Sequence, residues 1–180
     1  MSGKWVIVCG PSGAGKDSVL GWAARELEGR EGICFSRRLV TRAATPGSDH
    51  EEIDVGAMSA LRDRGGLAWH WQAHGLHYGI RSEYAQRVAG GEIVVVNGSR
   101  EHARPLAGRD DVRCVVVTAD PQLLAQRLQA RARESGGAIA LRIVRNLEMD
   151  EPPADRIIDN STELERAGSA LRDYLLELAR

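Results

Sequence analysis

Continuous apolar runs alternate along the chain with segments in which apolar residues recur every three or four positions. Four runs predict strands buried on both faces of a parallel sheet, at residues 5–9, 33–40, 93–96 and 113–118, and a shorter segment at 156–159 predicts another. Helices are predicted at residues 16–28, 82–90, 121–134, 139–149 and 164–178. Residues 41–54 predict a loop, and 67–71 and 76–80 predict short extended segments. The alternation predicts one α/β domain over residues 1–180, a three-layer fold with a mostly parallel sheet flanked by helices.

Composition and charge argue against several classes of protein. The chain has 180 residues, 24 Lys and Arg, 25 Asp and Glu, and a formal net charge of −1, so charge gives no reason to expect a nucleic-acid partner. No apolar run approaches the ~20 residues that a membrane span needs, and the apolar stretch near the N-terminus is too short for a signal peptide. The three cysteines lie in apolar runs, which favours buried thiols in a reducing compartment. We expect a cytoplasmic protein without membrane association, either a monomer or a homodimer.

A phosphate-binding loop is the strongest motif. Residues 10–18, Gly-Pro-Ser-Gly-Ala-Gly-Lys-Asp-Ser, directly follow the first predicted strand and open the first predicted helix. The glycines let backbone N–H groups converge on phosphate oxygens, and Lys16 would reach the β- and γ-phosphates of ATP. The expected ATP-binding residues are Gly10, Pro11, Ser12, Gly13, Ala14, Gly15, Lys16, Asp17 and Ser18. The alternatives are a glycine-rich turn without a ligand and a nucleotide-binding loop without catalysis.

One position of this loop departs from the usual pattern. The residue after the lysine is ordinarily Ser or Thr, whose hydroxyl binds Mg²⁺, but here it is Asp17, with the hydroxyl one place later at Ser18. A carboxylate is also a hard oxygen ligand for Mg²⁺. We therefore expect Asp17 and Ser18 to bind Mg²⁺, and Lys16 and Asp17 to be catalytic.

Two further segments carry groups suited to a phosphorylated acceptor. Three arginines fall within six residues, at Arg37, Arg38 and Arg42. Such a cluster favours anion binding, although surface ion pairs with Asp49, Glu51 and Glu52 are the alternative. Polar residues also follow the predicted strand at 93–96, namely Asn97, Ser99 and Arg100. Ligands of open α/β sheets bind at this end of the strands, although a simple strand–helix turn remains open.

The segment 67–79 combines aromatic and polar residues. Trp69 and Trp71 alternate, so on a strand they share a face, and packing is their simplest role. Three histidines lie in the same stretch, His70, His74 and His77. A metal site would need them on one face of a helix, which the alternation and Gly75 argue against. A contact to phosphate or sugar remains open for the histidines at 74 and 77 and for Tyr78.

Arginines also cluster around a glycine pair at 136–137. They are Arg127, Arg131, Arg133, Arg142 and Arg145. Two arginine-bearing helices joined by a glycine hinge suit a lid at about 127–145, whose cations would stabilise charge on the transferred group. The alternative is an exposed helix with Glu134 and Glu148 as ion-pair partners.

The order of these motifs resembles the guanylate kinase fold of the P-loop kinases over nearly the whole chain. Three departures bear on the acceptor. Thr45 stands where that family has an arginine before Pro-Gly, Trp69 stands where it has a base-reading glutamate, and the strand at 93–96 carries no acid. A site that reads guanine needs buried acceptors for its N–H groups, so GMP is not expected as the acceptor.

Where the sequence departs from guanylate kinases, it is similar to the ribose 1,5-bisphosphate phosphokinases of bacterial phosphonate metabolism. The shared motifs are Lys-Asp-Ser at 16–18, Arg-Arg-x-Val-Thr-Arg at 37–42, Asp-His-Glu at 49–51, Trp-x-Ala-His-Gly-Leu-x-Tyr-Gly at 71–79 and Val-Val-Asn-Gly-Ser-Arg at 95–100. The resemblance implies transfer of the γ-phosphoryl group of ATP to the 1-phosphate of ribose 1,5-bisphosphate, with Mg²⁺ as cofactor and 5-phosphoribosyl 1-diphosphate as product.

The resemblance also implies which residues bind each substrate and which are catalytic. It places an acceptor-binding segment at about 33–90. The acceptor residues would be Arg38, Arg42, His74, Tyr78, Arg81, Asn97, Ser99 and Arg100. Arg127 would bind ATP, and Arg131 and Arg142 would join Lys16 and Asp17 in catalysis. The alternatives are a nucleoside monophosphate kinase, another kinase with a small phosphorylated acceptor, and a binding module without catalysis.

Overall fold

A five-stranded parallel sheet forms the centre of the molecule. The computed structural model describes residues 2–44, 49–73, 75–135 and 150–180, without the side chains of 131–135. The strands lie in the order β2 (Ile33–Phe35), β7 (Ile93–Asn97), β1 (Lys4–Cys9), β8 (Val112–Thr118) and β9 (Arg156–Asp159). Every neighbouring pair in this sheet is parallel, which confirms the predicted fold class.

Side chains cover both faces of this central sheet, which explains why its inner strands are apolar throughout. On one face, Val6 and Val8 of β1 pack with helix α1 (Lys16–Glu26) and helix α6 (Leu164–Leu178). On the other face, Trp5 and Ile7 pack with residues of helix α3 (Glu83–Ala89) and helix α4 (Arg100–Ala103). Helix α5 (Pro121–Ser135) follows β8, and a 3-10 turn at Arg104–Leu106 follows α4.

A smaller sheet lies beside the central one and is called the second sheet below. Its strands lie in the order β4 (His50–Glu52), β3 (Arg38–Val40), β6 (Leu76–Arg81) and β5 (Leu67–Ala73). The strands β5 and β6 form an antiparallel hairpin, and β3 is antiparallel to β6 and parallel to β4. Helix α2 (Val55–Asp63) packs Met58 and Leu61 against Leu39 of β3.

Three predictions for the segment 33–66 were wrong or incomplete. The strand predicted at 33–40 is two strands in different sheets, because Ser36 N–H donates to the Val95 carbonyl while Arg37 N–H donates to the Tyr84 hydroxyl. The predicted loop at 41–54 contains β4. Helix α2 was not predicted, although Asp54 caps it by accepting from the Ala57 N–H at 2.8 Å. The helix predicted at 139–149 lies outside the described residues.

The three cysteines are free thiols. Cys9 and Cys114 are buried as expected, whereas Cys34 is half-buried at the edge of the sheet. Within the described ranges, no helix combines the length and the apolar character needed to cross a membrane.

Candidate active site

The phosphate loop connects β1 to α1 in a conformation that favours glycine at three positions. Gly10 has φ 147°, Gly13 has φ 91° and Gly15 has φ 80°, values that L side chains rarely adopt. A Cβ at Gly10 would lie 2.0 Å from the Val117 carbonyl oxygen, and one at Gly15 would lie 2.4 Å from the Asn160 amide nitrogen. The glycine pattern therefore reflects both backbone conformation and close packing.

Two side chains hold this loop from behind. Asn160 is buried and donates from Nδ2 to the Ala14 carbonyl at 2.8 Å. Arg127 donates to the carbonyls of Gly13, at 3.3 Å, and Asn160, at 3.1 Å. Among the described residues no side chain caps α1 at Gly15, so the first N–H groups of this helix suit a bound phosphate.

A chain of polar contacts joins the phosphate loop to the second sheet. Lys16 Nζ lies 3.2 Å from Asp17 Oδ1, and Asn97 Nδ2 donates to the same oxygen at 2.9 Å. The same nitrogen of Asn97 donates to Asp49 Oδ2 at 2.6 Å. Arg38 donates to both carboxylate oxygens of Asp49 at 3.1 Å. The side-chain amide of Asn97 therefore lies between the Asp17 and Asp49 carboxylates, each of which also contacts a cation.

This environment keeps Asp17 ionised. Partial burial by itself would raise the pKa of Asp17, but the Lys16 ammonium, the Asn97 amide and the Arg38 guanidinium lower it to about 2. Asp17 therefore carries a negative charge at any pH near neutrality.

A cleft of about 180 Å³ lies between the loop and the second sheet. The loop and helix α1 line it with Gly10, Pro11, Ser12, Gly13, Gly15, Lys16, Asp17 and Ser18. The second sheet contributes Arg38, Trp71, Ala73 and Tyr78, and Gly98 and Ser99 follow β7. Most of the predicted ATP-binding residues and three of the predicted acceptor residues thus share one cleft. Arg127 lines a neighbouring cleft behind the loop, with Asn160 and Thr162.

The other described residues that were predicted to bind the acceptor lie outside the lining of this cleft. Arg42 is exposed, and its backbone carbonyl contacts His50 Nε2 at 3.3 Å. Arg81 forms an ion pair with Glu51, and Arg100 is buried and forms an ion pair with Glu151 at 3.1 Å. Asn97 is buried beside the cleft as the bridge between the two carboxylates. Their direct contact with an acceptor stays a prediction, as it does for His74, Arg131 and Arg142, whose side chains lie outside the described residues.

Asp49 is the residue of this site whose role the sequence did not indicate. From the sequence, Asp49 is only a possible surface ion-pair partner for the arginines at 37–42, as the alternative to anion binding. That ion pair with Arg38 exists, but Asp49 also accepts a hydrogen bond from Asn97, which is 48 positions away. The Asp-His-Glu motif at 49–51 is the one signal that could have drawn attention to it.

Two histidines of the β5–β6 hairpin, His70 and His77, belong to the described residues and lie side by side. His70 and His77 lie on neighbouring strands with a 3.1 Å contact between ring nitrogens. No group of three or more potential metal ligands occurs in the part of the chain that the structure describes. The strand alternation that argued against a helix here is confirmed.

The first turn of α1 offers donors that suit Mg²⁺. The Asp17 side chain is 62% exposed and lines the cleft, and its hydrogen bonds among the described residues use Oδ1 and not Oδ2. The Ser18 hydroxyl is exposed on the same turn and lines the same cleft. A carboxylate and a hydroxyl beside a phosphate loop fit the hard oxygen ligands that Mg²⁺ prefers.

A parallel α/β core, a phosphate loop at the end of its first strand and a facing sheet with a cation define a P-loop kinase. The family model described as "AAA domain" matches residues 6–152. The crystal structure of guanylate kinase from Anaplasma phagocytophilum superposes with a TM-score of 0.68, covering 98% of this chain and 86% of that one at 20% identity. At that identity the likeness shows the fold.

Curated relatives define the family more closely. "Ribose 1,5-bisphosphate phosphokinase PhnN" from Brucella melitensis biotype 2 is 39% identical over 180 residues, covering 98% of this chain and 94% of the relative. The proteins of the same name from Agrobacterium fabrum and Acidiphilium cryptum are 37% and 41% identical, each covering 97% of this chain and 97% and 93% of their own lengths. The chain belongs to the ribose 1,5-bisphosphate phosphokinase family, which confirms the resemblance seen in its motifs.

Proposed function

We propose that the protein transfers the γ-phosphoryl group of ATP to the 1-phosphate of ribose 1,5-bisphosphate, giving 5-phosphoribosyl 1-diphosphate and ADP. The observation that carries this choice of acceptor is the alignment of nearly the whole chain with relatives that bear the name of this activity. The cleft supports it, because Lys16 and Arg38 supply cations from opposite walls. The comparisons do not favour the alternatives, a nucleoside monophosphate kinase or a module without catalysis.

The proposed reaction needs positioning and charge neutralisation more than proton transfer. An oxygen of the 1-phosphate forms a bond to the γ-phosphorus while the bond to the β–γ bridging oxygen breaks, and ADP leaves with that electron pair. The nucleophile is already an anion, so no strong general base is required. Lys16 and the free N–H groups of α1 would hold the ATP phosphates, and Arg38 and the Tyr78 hydroxyl would orient the acceptor.

Several finer points belong to the same proposal. Mg²⁺, held by Asp17 and Ser18, would neutralise charge between the β- and γ-phosphates. Arg131 and Arg142 would add positive charge over the transferred group, as the lid prediction requires. A cytoplasmic location, a role in phosphonate breakdown and a supply of the diphosphate for nucleotide synthesis also remain parts of this proposal.

A phosphorus NMR time course tests the function. The protein would be incubated with Mg-ATP and either ribose 1,5-bisphosphate or GMP in separate samples. A new diphosphate signal with the sugar, and none with GMP, is the expected result. Turnover of GMP without turnover of the sugar would contradict the proposal and assign the chain to the nucleotide kinases.

Replacing Asp17 with asparagine tests the proposed Mg²⁺ ligand. We expect Asp17→Asn to lower kcat about 10–100-fold, the loss typical of disturbing a metal site, and to raise the Mg²⁺ concentration for half-maximal rate. Titration of Mg²⁺ at saturating substrates, and of Mn²⁺ by paramagnetic resonance in the presence of ADP, would measure both effects. Asp63→Asn, at the exposed end of α2, is the matched control. Normal metal dependence in Asp17→Asn would remove this residue from the metal site.

A further inference from the structure

Stacked aromatic rings form the side of the cleft that strands β5 and β6 line. Trp71 pairs with Tyr78 across the hairpin, and their ring centroids lie 5.2 Å apart with planes 11° from parallel. Trp71 also stacks on His102, with centroids 4.0 Å apart and an interplanar angle of 0°. Two parallel rings therefore hold the indole of Trp71 in one orientation at the edge of the cleft.

His102 connects this stack to the central sheet. Its ring meets Trp69 edge-on at 4.9 Å, and Trp69 packs on Trp5 of β1 at 4.2 Å. The residue is 5% exposed, and neither of its ring nitrogens has a hydrogen-bond partner among the described residues. Burial lowers the pKa of His102 to about 4, so near neutral pH the imidazole is uncharged and packs as an aromatic ring.

Polar groups are few on this side of the cleft. The described residues of the second sheet that line it are Arg38, Trp71, Ala73 and Tyr78. Their polar side-chain groups are one guanidinium, one phenol hydroxyl and the indole N–H of Trp71, and all three can donate to phosphate or sugar oxygens. None of these side chains offers a carboxylate or an amide to the N–H groups of a nucleobase. On the opposite wall, Oδ1 of Asp17 is already engaged by Lys16 and Asn97.

We propose that Trp71, held in place by His102, is the specificity-determining residue of the acceptor site. The indole fills the space that a nucleobase would need, and it presents a flat apolar face where a base would require hydrogen bonds. The site therefore accepts a phosphorylated sugar without a base and excludes nucleoside monophosphates. His102 is a positioning residue that acts through Trp71. The inference rests on the proposed function, because it concerns the acceptor of the same reaction.

The test compares phosphate acceptors for variants of two tryptophans. Wild type and Trp71→Ala would be assayed with Mg-ATP and either ribose 1,5-bisphosphate, AMP, GMP, CMP or UMP. We expect Trp71→Ala to raise kcat/KM for at least one purine nucleotide by about tenfold or more, and to lower it for the sugar by a similar factor. Trp22→Ala is the control, because Trp22 of α1 packs on the opposite face of the central sheet and belongs neither to the lining of this cleft nor to the stack on His102.

A gain of nucleotide activity in Trp71→Ala but not in Trp22→Ala would support the inference. An unchanged preference in a folded Trp71→Ala protein, or an equal gain in Trp22→Ala, would overturn it. If Trp71→Ala does not fold, Trp71→Leu removes the ring with less lost volume and is judged in the same way. Failure of the wild type to phosphorylate ribose 1,5-bisphosphate contradicts the proposed function instead, and the nucleotide assays still decide the role of Trp71.

Variants of His102 test the positioning role separately. His102→Ala removes the ring beneath Trp71, whereas His102→Phe keeps a ring of similar shape. We expect His102→Ala to relax the acceptor preference in the same direction as Trp71→Ala, and His102→Phe to retain the preference of the wild type. Equal behaviour of the two variants would show that the stack does not set the preference.

Discussion

Replacing Lys16 with methionine is expected to lower kcat with ribose 1,5-bisphosphate by about 100- to 1000-fold. This is the typical loss when one preorganised group that stabilises transition-state charge is removed. Lys16 is the first residue of α1, and its side chain is 18% exposed beside the phosphate loop. Its ammonium would meet the β- and γ-phosphate oxygens, where negative charge shifts during transfer. Methionine keeps a similar length without the charge, so the measurement is steady-state kcat and KM for both substrates.

The sequence supplies a matched control for this variant. Lys4 is the one other lysine of the chain, and it lies at the start of β1, where its Nζ donates to the Asp110 carbonyl at 2.9 Å. We expect Lys4→Met to retain wild-type kcat. A Lys16→Met protein with kcat within threefold of wild type would contradict the assignment of the loop as the phosphate site. Thermal unfolding of both variants would show whether either change acts through stability.

The donor side of the site could be predicted from sequence because all its signals are local. An apolar strand, a glycine-rich turn, a lysine and a helix follow one another within about twenty residues, and the structure has them as β1, the loop and α1. The three loop glycines with positive φ, at positions 10, 13 and 15, stand where the motif places them. Local propensity and global packing agree here, so the order of residues alone is sufficient to predict the strand, the loop and the helix.

The acceptor side was harder to predict because long-range contacts decide it. The run at 33–40 looks like one strand, but pairing with β7 on one side and with β6 on the other divides it between two sheets. Asp49 lies in a polar segment without periodicity, and its partner Asn97 is the last residue of β7, which comes much later in the chain. His102 carries no motif, and its role depends on Trp69 and Trp71 from the hairpin.

The polar chain between the loop and the second sheet gives Arg38 a central place. Its side chain is 12% exposed and donates to both carboxylate oxygens of Asp49. Its guanidinium carbon also lies 5.9 Å from the centroid of the Tyr78 ring. Its Nε is buried without a hydrogen-bond partner among the described residues. Because an unpaired buried donor is costly, a bound phosphate that accepted from this nitrogen would gain a charge-assisted hydrogen bond. The geometry thus favours Arg38 as the main cation for the acceptor.

We expect Arg38→Ala to raise the KM for ribose 1,5-bisphosphate about ten- to hundredfold, with a much smaller change in the KM for ATP. The estimate corresponds to the loss of one hydrogen bond to a charged group, about 1.5–3 kcal/mol. Arg38→Lys would restore part of the affinity, because it keeps the charge without the planar fork of donors. Steady-state kinetics with each substrate varied in turn would measure the two KM values.

Two further variants separate binding by Arg38 from its structural contact with Asp49. Arg37→Ala removes the exposed neighbouring arginine, whose NH2 contacts the His50 carbonyl at 3.3 Å, and should leave the acceptor KM unchanged. Asp49→Asn keeps Arg38 but weakens its anchor, so we expect a smaller rise in the acceptor KM than in Arg38→Ala. If Asp49→Asn and Arg38→Ala instead raised that KM equally, Arg38 would act only by holding Asp49 and Asn97, and the acceptor phosphate would have to meet another cation.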